Sequence, residues 1–310
     1  MADELSNRFP LLKYLDGLVD DLRDLVPRAL QQFDEVSIHK ARVSTRRLKA
    51  AIELLQPILS DKHREPFAEA GRKLRRKLGP LRDLDVMIDH LQRLSRQKRH
   101  ATACTWLIEQ MNNDRDTARE DAQKKSPASA VLARLGAWWG VHHEIEECEE
   151  AAPHLLANAV HLRLDHFAEQ ADWLTGLRQP PPDHANALDP HELRIAGKAL
   201  RYTLEFAVES GIALPKMLLR KFKLMQELLG SWHDYVVLTD KAMSIAHERE
   251  LVLHDAEKAS GVLDLSRMTL ARSTRELQAF YKVWKADGES VASTIRQSFS
   301  LSSDVHVDCA

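Results

Sequence analysis

Apolar residues recur at helical spacing along almost the whole chain. Leu48, Ile52, Leu55 and Leu59 follow one another at steps of three and four, and so do Leu74, Leu78 and Leu81. Leu193, Leu200, Leu204 and Ala207 fall on one side of a helix turning roughly 100° per residue. Strand-like alternation is nearly absent. The pattern predicts an all-α protein, with helices over about residues 10–32, 36–59, 62–79, 83–98, 101–124, 127–150, 153–176, 190–210, 214–230, 233–258 and 261–287. The stretch RQPPPDHANALDP, Arg178 to Pro190, reads as a loop. It ends with Asp189 as an N-cap and Pro190 as the first helical residue. Gly79 and Gly230 are expected to end helices, and Asp83 and Asp234 to cap the next ones. Helical patterning fades over residues 288–310, which are expected to form a loosely held tail.

Composition agrees with the pattern. Only 11 glycines and 12 prolines occur among 310 residues, so helix breakers are scarce. A 44% hydrophobic share is enough to bury a core, and the 29% charged share suits a soluble chain. Cys104, Cys148 and Cys309 include no CxxC pair, so reduced thiols and a cytoplasmic setting are expected. No secretory signal and no apolar stretch of membrane-spanning length is visible. Lys+Arg 44 against Asp+Glu 46 leaves the chain near neutral, which would argue against a polyanion partner if the charges were mixed.

They are not mixed. HKARVSTRRLKAAIE begins at His39 and HELRIAGKALRYTLE at His191. Their alignment pairs His39 with His191, Arg42 with Arg194, Arg46 with Lys198, Lys49 with Arg201 and Glu53 with Glu205. Further on, LGPLRDLDVMID from Leu78 answers LGSWHDYVVLTD from Leu229. His191 follows His39 by 152 residues and Gly230 follows Gly79 by 151, so two separate matches share nearly one offset. The chain reads as two similar halves, about 10–125 and 150–287.

On a helix, His39, Arg42, Arg46 and Lys49 share one stripe roughly 80° wide, and His191, Arg194, Lys198 and Arg201 form the same stripe in the second copy. Lys40 and Arg47 point elsewhere. Like charges at i,i+4 repel, and an ordinary solvated face would mix glutamate with lysine. Two acid-free stripes therefore favour a polyanion site over a solvated surface. A second basic element follows each stripe: Arg72, Arg75 and Arg76 share a face in the first half, and Lys216, Arg220 and Lys223 in the second. The second half is the less basic here, with Gln226 and Glu227 near its stripe. Arginine suits phosphate because its planar fork can grip two oxygens at once.

The segments IHKARVSTRRLKAAIELL, RRKLGPLRDLDVMIDHL, HELRIAGKALRYTLEF and MQELLGSWHDYVVL resemble the hallmark segments of the CHAD family, the conserved histidine α-helical domain. The resemblance spans nearly the whole chain in the right order. It implies a single CHAD domain over 1–310, built as two pseudo-symmetric four-helix bundles around a central basic cavity or pore. It also implies binding of inorganic polyphosphate and, for some members, association with polyphosphate granules. His39, Arg42, Arg46, Lys49, His191, Arg194, Lys198 and Arg201 would line the cavity, completed by Arg72, Arg75, Arg76, Arg220 and Lys223. Arg82 and His233, in matching positions after the two glycines, and Tyr202 would be further contacts. No ExExK-like start of a CYTH domain is visible, so a stand-alone type is expected.

Other chemistries find less support. His143-Glu144 and His191-Glu192 both fail HExxH, and the acidic run around Glu144 to Glu150 reads as a solvated helix end. His233-Asp234 lacks the further ligands of an HD phosphohydrolase. There is no P-loop, GxGxxG or GxSxG. No cofactor, metal or membrane partner is expected. Two alternatives to pure binding stay open: an enzyme that cleaves or transfers phosphate, and a nucleic-acid binder, although aromatics for base stacking are few beyond Tyr202.

Overall fold

A computed structural model of the chain describes residues 10–125, 128–180 and 189–299. Among them every element is helical. The elements are α1 (Pro10–Pro27, prolonged by a π-helical turn Arg28–Gln32), α2 (Glu35–Leu54), α3 (Asp61–Leu94), α4 (Ala101–Lys125), α5 (Ala128–Leu135), α6 (Trp138–Glu147), α7 (Ala152–Thr175), α8 (Pro190–Glu209), α9 (Lys216–Ala246), α10 (Arg249–His254) and α11 (Ala256–Ser298). None is long and apolar enough to cross a membrane. Cys309 and residues 181–188 of the expected loop lie outside the described residues.

Helix starts follow local chemistry. The chain reverses at Phe33, whose φ of 55° is left-handed, and Asp34 then caps α2 by accepting from the amides of Val36 (3.1 Å) and Ser37 (3.2 Å). The Ser37 side chain first, and then these amide bonds, hold the Asp34 carboxyl below its ordinary value. Asp189 caps α8 as expected, accepting from the His191 amide at 2.8 Å, with Pro190 in the first turn.

Two expectations fail, and a third, the solvated acidic run, holds at Glu146, Glu147 and Glu150 but not at Glu144. Gly79 and Gly230 do not end helices: α3 and α9 run through them, so Asp83 and Asp234 stand in mid-helix and cap nothing. Pro80 inside α3 removes an amide that would bond the Arg76 carbonyl. Burial of Leu78, Leu81, Leu84 and Leu91 on one side, and of Leu229 and Leu238 in α9, outweighs these local costs. The tail also differs. α11 continues to Ser298, and Val291, Ala292, Ile295 and Phe299 are buried, so only residues from 300 on lie outside the description. Finally, Glu144 is more than solvated charge. It accepts from the amide of Ser60 (3.0 Å) and lies 2.8 Å from His63 Nδ1, fastening α6 to the start of α3.

The described residues divide into two compact units. The first takes residues up to Arg76, from 128 to Gln226 and from Val283 onward; the second takes Lys77 to 125 and Glu227 to Lys282. Each sequence half is therefore shared between the units. In the first unit α2 packs against α1, α7 and α8, and α7 lies along α8. Gly197 of α8 makes this possible: a Cβ there would sit 2.8 Å from the Phe167 ring of α7 and against the Gln226 amide of α9. In the second unit Leu84, Leu91, Leu107, Met111, Leu238, Val262 and Leu265 form the core. Cys104 is buried among them, and burial pushes its thiol up to about 11, which keeps it protonated and inert at neutral pH.

Candidate anion-binding site

The cap at Asp34 sets the register of α2. Ile38, Ala41, Leu48 and Ile52 go into the core, and the basic stripe faces away from it, with His39 and Lys49 exposed and Arg42 and Arg46 half-buried. The stripe is joined to α3 by a reciprocal pair of hydrogen bonds. Arg42 Nη1 donates to the Arg75 carbonyl at 2.7 Å, and Arg75 Nη1 donates to the Thr45 carbonyl at 2.8 Å. Gly71 leaves room for the Arg75 side chain, since a Cβ there would lie 3.3 Å from Nη1. Carbonyl acceptors carry only partial charge, so these two bonds fix the guanidiniums in place without themselves supplying a countercharge. Arg75 is held below the ordinary arginine value by burial first, then by the charges of Arg46 and Arg72, with Glu53 opposing. Arg42, Arg46, Arg72 and Arg75 are thus one cluster, and Lys49 lines the same small cavity as Arg75.

The counterpart on α8 differs in charge. The offsets of the repeat pair Thr45 with Gly197 and Arg75 with Gln226. Where Arg75 reaches across to Thr45, the neutral Gln226 amide lies against Gly197. Arg194 and Lys198 are half-buried on α8, and Arg220 and Lys223 are exposed on α9, all in the first unit. Arg76 is exposed as well. Among the described residues no carboxylate lies within ion-pair distance of Arg46, Arg76 or Arg220. Arg72 pairs with Glu69.

Arg82 and His233 belong to the second unit. Tyr202 is buried, 9% exposed, near Tyr14 and Arg47, and offers a ligand almost no surface. Arg47 does leave the stripe, as its helical angle requires. Its Nε donates to Glu205 Oε2 of α8 at 2.9 Å, while Glu205 Oε1 accepts from Arg201 Nε at 2.9 Å. Burial, the largest single influence, would lower Arg47, but the Glu205 carboxylate together with Tyr14 and Tyr202 raises it above its ordinary value. Nearby Tyr14 is pushed up to about 12, by burial first, so its hydroxyl stays protonated.

Sequence patterning gave no sign of Arg163. From α7 its guanidinium donates to Thr203 Oγ1 of α8 and to the Ala50 carbonyl of α2 at 3.3 Å, and lies 4.0 Å from Glu53. It ties together the two helices that carry the stripes.

A larger cavity, about 600 Å³, opens elsewhere in the first unit beside α7 and α11. Asp165, Glu169, Asp172 and Glu289 line it with Arg178, Lys285 and Arg296, a balance that does not suit a polyanion. Among the described residues no group of three or more His, Cys, Asp or Glu could hold a metal ion.

The profile of the family described as "CHAD domain" matches residues 13–242. Two solved structures share the fold. The crystal structure of the CHAD domain from the plant Ricinus communis is 21% identical, with a TM-score of 0.56 over 96% of this chain and 92% of that one. PptA from Streptomyces chartreusis is 17% identical, with a TM-score of 0.57 over 88% of this chain and 98% of that one. No curated protein sequence matches significantly.

Proposed function

The chain belongs to the CHAD domain family, and from that premise we propose that it binds inorganic polyphosphate in a basic cavity lined from both repeats, without cleaving it. The observation that carries the proposal is the Arg42–Arg75 clasp. It fixes the Arg75 fork beside Arg46 and Arg72, whose charges repel it, and a bound polyanion would relieve that repulsion. Phosphate oxygens would take charge-assisted hydrogen bonds from these forks and from Arg194, Lys198, Arg220 and Lys223 of the second repeat. Association would release counterions from the polyanion.

The carboxylates near the stripes support binding without catalysis. Phosphoryl transfer calls for a positioned base or metal-holding acids beside the cations. Glu53 pairs with Lys49, Glu69 with Arg72 and Lys73, and Glu205 with Arg47 and Arg201. Each is engaged by cations rather than standing free beside them.

Competition against single-stranded nucleic acid, together with a phosphate-release assay, tests this choice. Polyphosphate is expected to displace nucleic acid at equal phosphate concentration, and no phosphate should be released with Mg²⁺ or Mn²⁺. Preferential binding of nucleic acid, or clear turnover, would overturn it.

A further inference from the structure

Each basic stripe ends on a glutamate four residues after its last cation, and the two glutamates are repeat counterparts. On α2, Glu53 Oε1 lies 3.3 Å from Lys49 Nζ. On α8, Glu205 does more. Its two oxygens accept from Arg201 of its own helix and from Arg47 of α2, both at 2.9 Å. The bridged groups are half-buried, Glu205 at 25% and Arg47 at 29% side-chain exposure, so water screens them incompletely. One carboxylate thus engages two guanidiniums at the place where the stripe helices meet.

We propose that Glu205 is an internal competing anion that withholds Arg47 and Arg201 from the polyanion. Arg47 is then a reserve cation, outside the stripe by helical angle yet joined to it through Glu205. The inference rests on the polyphosphate reading and adds to it. The carboxylate has two effects on an approaching phosphate chain. It occupies the Nε edge of both guanidiniums, and it repels the chain through its own charge. Glu53 acts in the same sense on Lys49, more weakly, because that pair is about half exposed and an exposed i,i+4 pair is easily broken.

Neutralising Glu205 should therefore strengthen binding, whereas a purely structural bridge would weaken it. Glu205→Gln keeps the shape and an acceptor oxygen. In the full chain it is expected to raise affinity for long-chain polyphosphate about tenfold at low salt. The log–log salt dependence should steepen by about one unit as one or two more cations are engaged. Adding Arg47→Met to Glu205→Gln should remove much of the gain. Glu53→Gln, which keeps the side chain's shape beside Lys49 and Arg163, is expected to give about a twofold rise. Unchanged or weaker binding by a folded Glu205→Gln protein would overturn the inference while leaving the function intact. Should Glu205→Gln not fold, unchanged or weaker binding by Glu53→Gln would do the same. If the unaltered chain does not bind polyphosphate, both readings fall.

Discussion

Replacing Arg46, Arg76 and Arg220 together with alanine is expected to lower polyphosphate affinity by about a thousandfold, with a melting temperature within about 2 °C of the unaltered protein. Among the described residues these three have no carboxylate at ion-pair distance, so removing them breaks no internal pair. A charge-assisted contact to a phosphate oxygen is worth about 1.5 kcal/mol, close to a factor of ten for each. Fluorescence anisotropy with end-labelled polyphosphate, beside thermal unfolding, separates loss of ligand contacts from loss of fold. Binding within about threefold of the unaltered protein would remove these residues from the site. Arg42 and Arg75 make a poorer first test. Their forks also fasten α2 to α3, so their removal would weaken fold and binding together.

Arg163→Met is expected to cost about 2–3 kcal/mol of stability, a drop of about 5–10 °C in Tm followed by circular dichroism. The side chain is only 16% exposed, and burial holds the guanidinium below its ordinary value, with Glu53 opposing. Methionine fills similar volume but leaves the Ala50 carbonyl without this donor and deprives Thr203 of a partner. The same change loosens α2 against α8, so polyphosphate affinity should fall about fivefold although Arg163 is outside both stripes. An unchanged melting curve would show that α2 and α8 are held by their apolar packing alone.

Much of this is legible in the sequence. The stripes could be seen because helical periodicity converts sequence spacing directly into a face, and the repeat showed that the face occurs twice. Asp189 and Pro190 were legible for a similar reason, since capping chemistry is local. Gly79 misled because its signal is local while the deciding forces are not. Leucines on either side are buried deeply enough to carry α3 across both Gly79 and Pro80. The end of α11 carried a faint pattern, with Val291, Ile295 and Phe299 at four-residue steps, masked by the surrounding Ser, Thr and Gln. The grip of Glu205 on Arg47 joins residues 158 apart in sequence, and Arg163 sits on a helix with no motif around it. Spacing arguments do not reach such contacts.

An equilibrium titration of the full chain with long-chain polyphosphate at several salt concentrations tests the central claim most directly. A site built from about six or more engaged cations predicts tight binding at low salt that weakens about tenfold or more with each doubling of salt concentration. No binding at low salt, or an affinity indifferent to salt, would contradict a polyanion site on these helices.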